Sequence, residues 1–359
     1  IRKISYEIAN IVKSQNLVDI RTPSFLNTKF KIKGKYSLLD LNNRMKKSII
    51  ILIVNSFLLS SCSKKDSTPV VFKSQLEVTT TPKLFMPGVV TKRGLRHFGS
   101  SFSRDGSQLV YTISDRITPS KVVTQTYING KFSSPLPIIN DTLHSFADAS
   151  VSLNGNTITL TSTLPQIKGK DDNEKNGIWQ FYRNSNGWGN AKLVNLEMDY
   201  DGGFGYPTLT ENKTLYFAYI PDDGTRDMDI FRSKFNNGVY EKPIKLPPHI
   251  NTDEFEGDPF IDSKERYLIF AGFERGENYG RSDLYISFKL ENGWSPAINL
   301  GEDINSHGFD GSPYVTEDDN YLIFTSSRHP DNPNEEEYFN VFYVSFDIER
   351  YKILIFNQK

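Results

Sequence analysis

Ten histidine, aspartate and glutamate side chains recur at one point of a repeated sequence pattern. Their types suit acid–base work, a metal or a polar ligand. Six precede the first strand of a repeat and four lie just inside it: His97, His144, Asp148, Asp201, Asp253, Glu254, Glu256, Asp258, His307 and Asp310. We favour a structural role for them, as caps of strand ends and partners of buried backbone groups. The histidines lack the short spacing of zinc ligands, so we predict no metal and no cofactor.

The elements that must position these side chains form a two-strand pattern, which occurs five times at intervals of about 50 residues. Each copy opens with a polar turn, at 103–106, 153–156, 210–213, 262–265 and 316–319. An apolar, strand-like run follows each turn, at 108–114, 157–163, 214–220, 267–273 and 321–327. A second strand completes the pair, at 122–128, 177–183, 228–234, 284–290 and 341–347.

The end of the second strand is equally regular. Four copies end in Asn-Gly, which favours a tight hairpin turn with positive φ at both central residues. The four pairs are Asn129-Gly130, Asn186-Gly187, Asn237-Gly238 and Asn292-Gly293. An aromatic residue follows in every copy: Phe132, Trp188, Tyr240, Trp294 and Tyr351. We interpret the next segment as an outermost strand, which in three copies leads to Ile-Asn, at Ile139-Asn140, Ile250-Asn251 and Ile304-Asn305.

Four short strands per repeat are typical of a β-propeller blade. We predict an all-β protein with one propeller of five four-stranded blades, and a sixth, diverged blade is the alternative. Residues 82–88 resemble the outer-strand segment 296–301 but have no blade of their own. We expect this N-terminal strand to pair with the last blade and close the ring, because closure removes the exposed edge of an open sheet.

Three segments resemble a known repeat family. Residues 103–111, 229–233 and 282–286 look like the WD40-like (PD40) repeats of TolB-like proteins. The stretch 250–259, with 267–271 and 293–301, is similar to lipoproteins of Gram-negative bacteria that carry this repeat. The resemblance covers about residues 82–350 and implies the fold; contacts with envelope proteins follow from it by analogy alone.

A different pattern begins at Met45. Two lysines, an apolar run over 49–59 and the sequence Leu59-Ser60-Ser61-Cys62 have the order of a secretory signal peptide. Leu-Ser-Ser-Cys also resembles the lipobox of bacterial lipoproteins, which implies lipidation of Cys62, the one cysteine of the chain. We therefore expect a signal peptide at 45–61, a lipidated cysteine and tether at 62–81 and the propeller at 82–359. We interpret residues 1–44 as disordered upstream sequence.

Charge limits the partners of the predicted domain. Residues 1–62 hold 11 of the 42 lysines and arginines and 3 of the 43 aspartates and glutamates, so the remainder carries 31 basic and 40 acidic residues, a net charge of −9. Such a domain lacks the basic surface that nucleic acid requires. Attachment to a membrane must then depend on the lipid anchor. Ser63 after the cysteine implies, by resemblance, the outer membrane.

Together these features predict an outer-membrane lipoprotein, monomeric, whose propeller binds an envelope protein or a glycan without catalysis. The alternative is a carbohydrate-active hydrolase with carboxylates at the propeller channel. A deep pocket with two carboxylates would favour the hydrolase. A shallow channel with carboxylates spread evenly over the blades would favour the binding protein.

Overall fold

The computed structural model describes residues 70–92, 94–166, 175–198, 202–225, 227–330 and 336–356. The predictions for the signal peptide, Cys62 and Asp201 lie outside the described residues. Within the unit formed by residues 65–359, the strands pair into five antiparallel blades, and the predicted five-bladed propeller is confirmed.

Each blade starts with its innermost strand and proceeds outward. Strand β1 (Lys83–Leu84) precedes the blades. Blade 1 contains β2 (Arg96–Phe102), β3 (Gln108–Ser114), β4 (Lys121–Ile128), β5 (Lys131–Phe132) and β6 (Leu136–Pro137). Blade 2 contains β7 (Phe146–Val151), β8 (Thr157–Ser162), β9 (Gly177–Asn184) and β10 (Gly187–Leu193).

The remaining blades follow the same order. Blade 3 contains β11 (Gly203–Leu209), β12 (Leu215–Ile220), β13 (Asp229–Ser233), the hairpin β14 (Phe235–Asn236) and β15 (Val239–Tyr240), and β16 (Ile244–Lys245). Blade 4 contains β17 (Phe255–Ile261), β18 (Tyr267–Phe273), β19 (Ser282–Leu290), β20 (Gly293–Trp294) and β21 (Ile298–Asn299). Blade 5 contains β22 (Asp310–Val315), β23 (Tyr321–Arg328) and β24 (Glu336–Ser345).

The N-terminal strand closes the ring, as the sequence predicts. Strand β1 pairs with β24 as the fourth strand of blade 5, with Leu84 opposite Phe342. The next amide, that of Phe85, donates to the carbonyl of Val341 at 2.8 Å. The Phe85 ring is fully buried against blade 1 and blade 5. First and last blades are therefore joined by hydrogen bonds and by a shared core.

The core consists of five apolar clusters, one at each interface between neighbouring blades. The predicted continuous apolar strands lie between two clusters. In β18, Tyr267 and Ile269 pack toward blade 5, whereas Leu268 and Phe270 pack toward blade 3. Successive side chains of a strand point to opposite faces, so both faces of this strand are buried.

Two predicted sequence motifs have separate structural explanations. In blade 4, Asn305 accepts from the Leu284 amide at 2.8 Å and donates to its carbonyl at 3.1 Å, so its side chain extends the outer strand. Asn251 bonds Ile230 of blade 3 in the same way. Asn140 of the first copy makes no such contact among those the structure describes and is exposed. Of the Asn-Gly turns, those at Asn129 and Asn237 have positive φ at both residues.

Two packing features lie at the ends of the predicted propeller domain. Packing begins ahead of residue 82, because Val70 and Phe72 are buried over the blade 1 turn, where a side chain at Gly106 would clash with them. At the other end, Tyr351 lies in a helix, α1 (Ile348–Phe356), instead of leading to an outer strand. Ile348, Tyr351 and Ile355 recur at helical spacing and are buried against the cluster between blades 4 and 5. None of the described helices is long and apolar enough to span a membrane.

Candidate functional site

Every innermost strand is interrupted by a β-bulge at the same place. The bulge residue has positive φ in all five blades: Gly99 (64°), Asp148 (54°), Tyr206 (44°), Asp258 (49°) and Ser312 (48°). Positive φ is uncommon for residues other than glycine, and bulges re-aim side chains. We call these five residues the bulge ring. It is the point at which the five blades converge on the propeller axis.

Two aspartates of the bulge ring connect neighbouring blades. Asp258 Oδ2 accepts from the amide of Ser312, in the next blade, at 2.9 Å. Asp148 Oδ2 faces the amide of Tyr206, also in the next blade, at 3.5 Å and accepts from the Thr161 hydroxyl at 3.2 Å. The same contact is thus made by blades 2 and 4, each to its successor, and it satisfies a backbone amide that the bulge removes from the strand ladder.

Tyr206 crosses the axis within the ring. Its hydroxyl oxygen lies 2.9 Å from Ser312 Oγ, although blades 3 and 5 are not neighbours. Ser312 Oγ is also 3.3 Å from Asp258 Oδ2. A Cβ atom at Gly99 would lie 3.7 Å from Tyr206 Cε1 and 3.4 Å from the Asp148 Cα. These are ordinary contact distances, so Gly99 packs closely against its neighbours in the ring. The bulge ring forms a polar floor across the channel.

The two floor carboxyls both have raised pKa values. Burial raises the pKa of Asp148 to about 6, against the hydrogen bonds from Tyr206 and Thr161. Burial, and then the nearby Asp148 charge, raises the pKa of Asp258 to about 8. Burial followed by the charges of Asp258 and Asp148 also raises the pKa of the Tyr206 phenol well above its ordinary value. Both carboxyls therefore keep their protons to a higher pH than an exposed aspartate would, and Asp258 does so more than Asp148.

A cavity of about 1060 Å³ extends from this floor. Its axial part is lined by the second half of each innermost strand and by the turns that follow, including Phe102, Ala149, Phe260 and Tyr314. We call this axial part the axial pocket. We call the end of the channel where these turns lie the turn face. The opposite end, where the chain crosses between blades, is the crossover face.

An ion pair spans the mouth of the axial pocket at the turn face. Arg104 Nη2 of blade 1 lies 2.7 Å from Glu211 Oε1 of blade 3. Arg104 Nη1 is 3.8 Å from Glu317 Oε2 of blade 5. Burial raises the pKa of Glu317, against its hydrogen bond with Ser263 and the Arg104 charge. The axial pocket is therefore bounded by two cross-axis contacts, Tyr206–Ser312 below and Arg104–Glu211 above.

The residues predicted at the crossover face do not converge on one site. His97 is fully buried, and burial lowers the pKa of its imidazole to about 4. His144 Nδ1 lies 2.8 Å from Asp141 Oδ2. The remaining predicted residues there that the structure describes are exposed: Asp253, Glu254 and His307. Of the ten predicted residues, Asp148 and Asp258 line the axial pocket.

Glu256 and Asp310 are buried and stabilise equivalent crossover loops. Glu256 accepts from the amide and hydroxyl of Thr252 at 2.8 and 2.7 Å. Asp310 accepts from the same groups of Ser306 at 2.6 and 2.8 Å. Each also has an arginine partner, at 3.6 Å for Arg275 and 2.7 Å for Arg328. These contacts correspond to the capping role that we favoured from the sequence.

Sequence reasoning missed Tyr206, Ser312, Arg104 and Glu211 as residues of the pocket. One signal was present: proline directly follows the bulge residue in three blades, as Pro207, Pro259 and Pro313. Proline lacks the N–H that a strand ladder needs, so its repetition within strands indicates a bulge. No three histidine, cysteine, aspartate or glutamate side chains come together as a metal site in the part of the chain that the structure describes.

Comparisons with known proteins find similar solved structures but no matching family. No protein-family model matches the sequence, and no curated protein matches it. TolB from Acinetobacter baumannii is similar in structure, with 13% identity, a TM-score of 0.42 and coverage of 70% of this chain and 55% of that one, so this chain spans about half its length. A thermostable family-43 glycoside hydrolase has 13% identity, a TM-score of 0.47 and coverage of 72% and 91%.

A third similar structure is a TolB-like protein from Agrobacterium tumefaciens, with 12% identity, a TM-score of 0.44 and coverage of 71% of this chain and 91% of that one. The structural neighbours thus include both TolB-like propellers and glycoside hydrolase propellers. Similarity at this level says nothing about activity.

Proposed function

We propose that the protein is a lipid-anchored binding protein of the Gram-negative cell envelope that takes a glycan or an envelope protein into the axial pocket without catalysis. The single observation that carries the non-enzymatic part is the use of the two pocket carboxyls. Asp258 and Asp148 both face the backbone amide of the following blade. A catalytic carboxyl must be able to contact a substrate. The oxygens of these two carboxyls already contact backbone amides that join neighbouring blades, so they support the fold instead.

The envelope location rests on the sequence. The lipobox-like Leu59-Ser60-Ser61-Cys62 and the PD40-like repeats support a lipoprotein, and Ser63 after the cysteine supports the outer membrane. We expect Cys62→Ser to leave the propeller folded and to release the protein from membranes. Partition into a detergent phase measures this, and a Cys62→Ser protein that stays with the membrane fraction contradicts the lipid anchor.

Binding at the axial pocket can be tested while the ligand is still unidentified. Ser150 lines the pocket, and Ser150→Trp fills part of it. Ser134 is exposed on blade 1 and is not a pocket residue, so Ser134→Trp is the matched control. We expect the Cys62→Ser chain to bind members of a glycan array or an envelope extract, and only Ser150→Trp to lose them. Equal binding by both tryptophan variants would place the ligand elsewhere.

A hydrolase is the second candidate, because one observation favours it. Two carboxyls of one pocket with pKa values of about 6 and 8 are the pattern of an acid–base pair. A hydrolase should release reducing ends from a panel of envelope and plant polysaccharides, and both Asp148→Asn and Asp258→Asn should abolish that release. The binding protein should retain ligand through prolonged incubation with no new reducing ends.

A further inference from the structure

The cavity does not stop at the axis but continues outward between blades 2 and 3. Its outer part is lined by Tyr182 on β9, Lys192 on β10, Lys213 in the blade 3 turn, and Phe235 and Tyr240 on the β14–β15 hairpin. We call this part the side cleft. It shares one continuous cavity with the axial pocket, so one molecule can occupy both.

The two axial routes are obstructed, whereas the side cleft is not. Tyr206 crosses the axis at the floor, and Arg104 reaches Glu211 across the mouth. The Glu211 side chain is 57% exposed and the Arg104 side chain is 35% exposed, so this ion pair lies at the surface and covers the mouth from outside. A chain molecule with one end in the axial pocket would therefore leave it between blades 2 and 3.

The side cleft combines aromatic rings with lysines that lack acidic partners among the described residues. Lys192 Nζ lies 5.6 Å from the centre of the Tyr182 ring. Lys213 Nζ lies 5.1 Å from the centre of the Phe235 ring. Neither lysine forms an ion pair with any residue that the structure describes. Each ring is partly exposed, so both the ring edge and the ammonium group are accessible from the cleft.

This local charge is opposite to that of the domain. The region after Cys62 carries 31 basic and 40 acidic residues. In the outer lining of the cavity, Lys192 and Lys213 stand against Glu197 and Glu211, and Glu211 is already paired with Arg104. A lysine without an acidic partner can favour an anionic ligand locally even within an acidic domain, because charges beyond about 10 Å are screened. The partly exposed rings of Tyr182 and Phe235 add apolar surface beside each ammonium group.

We propose that the side cleft binds a linear saccharide chain that carries carboxylates, with Lys192 and Lys213 as the residues that select for charge. The inference rests on the proposed binding function and names the class of its ligand. The sugar rings lie against Tyr182 and Phe235, and a carboxylate of the chain meets each lysine. One end of the chain occupies the axial pocket.

Calorimetry with matched saccharides tests this on the full chain carrying Cys62→Ser. The probes are tetrasaccharides of mannuronate, galacturonate and glucuronate, each paired with its carboxyl-reduced counterpart, and tetraglutamate. We expect at least one uronate to bind about tenfold more tightly than its reduced partner, the size of two solvent-exposed ion pairs. Lys192→Gln with Lys213→Gln should remove that difference and leave affinity for the reduced chain unchanged.

The control is Lys121→Gln with Lys131→Gln, two exposed lysines of blade 1 that give the same change in net charge. Equal affinity for uronate and reduced chains overturns the inference while the proposed binding function stands. Tighter binding of tetraglutamate than of any uronate also overturns it and indicates an acidic peptide. If no saccharide binds, the inference fails, and so does the proposal that the ligand is a glycan. The proposal that the ligand is an envelope protein would stand if the parent captures such a protein and Ser150→Trp does not.

Discussion

Tyr206 of blade 3 meets Ser312 of blade 5 across the propeller axis, with 2.9 Å between the two hydroxyl oxygens. Both residues occupy the bulge position of their innermost strand. The contact joins blades that share no interface, and it places a phenol where an open channel would otherwise run. The bulge ring is therefore both a junction of the blades and the floor of the candidate binding site.

Removal of the Tyr206 hydroxyl should weaken the fold by a small, measurable amount. Tyr206→Phe keeps the ring across the axis but leaves Ser312 without this partner. A hydrogen bond of this kind contributes about 1 kcal/mol to the free energy of unfolding. Urea denaturation measures the change, with Tyr279→Phe, at a tyrosine that is 51% exposed, as the control. Equal stability of the two variants would contradict the role of the cross-axis contact.

Crowding beside Asp258 should be more damaging than the same substitution in a loop. A Cβ atom at Gly311 would lie 2.5 Å from Phe309 Cζ and 2.6 Å from Asp258 Oδ2. Gly311→Ala should therefore displace the carboxyl and cost about 1–3 kcal/mol of unfolding free energy. Gly276 has no atom within 4 Å of such a Cβ, so Gly276→Ala should stay within about 0.5 kcal/mol. Similar midpoints for the two alanines would show that the ring tolerates the displacement.

Stability should fall as pH rises through the range in which Asp258 is protonated only in the folded state. Folding raises its pKa from 3.8 to about 8, so between these values the native protein binds a proton that the unfolded chain has released. Fewer protons bound in the unfolded state means that the free energy of unfolding decreases with pH, by up to about 1.4 kcal/mol per unit, and levels off above pH 8. Asp148 contributes in the same direction up to about pH 6.

Asp258→Asn isolates this effect, because asparagine resembles the protonated acid and cannot ionise. We expect the unfolding free energies of the variant and the parent to be most similar at about pH 4, where the unfolded parent also keeps much of its proton, and the variant to be the more stable at about pH 8.5. Asp253→Asn, at an exposed position, serves as the reference and should follow the parent at both pH values. A parent and Asp258→Asn pair with parallel pH profiles would mean that Asp258 is ionised in the folded protein.

Two ion pairs near the blade 4 to blade 5 crossover should differ greatly in importance. Asp310 is fully buried, 2.7 Å from Arg328, whose side chain is also buried. Asp310→Asn leaves that guanidinium without a charged partner, which costs about 3–5 kcal/mol. Asp303 and Arg350 are 56% and 54% exposed at 3.1 Å, and Asp303→Asn should cost less than about 1 kcal/mol. Thermal unfolding of both variants measures the contrast, and losses of similar size would refute it.

The amino-acid sequence alone was enough to predict the blades. Polar turns, Asn-Gly hairpins and apolar strand-like runs act over a few residues, so each can be identified from its own short segment. The closure of the ring by Lys83–Leu84 was also predicted, because an unpaired outer strand and a blade lacking one are complementary. The local pattern gave a wrong prediction at Tyr351, which was expected to lead to an outer strand. The Asn-Gly turn is absent there, and the chain forms a helix that packs on the core.

The tertiary structure decided which side chains share a pocket. Asp148 and Asp258 looked no different from Glu256 and Asp310 in the sequence, since all four are acids in innermost strands. The bulge turns the first two toward the axis, whereas the second two bond to crossover loops. Tyr206 and Ser312, or Arg104 and Glu211, meet because five blades bring distant turns and bulges together around one axis. No local pattern encodes which side chains this convergence brings into contact.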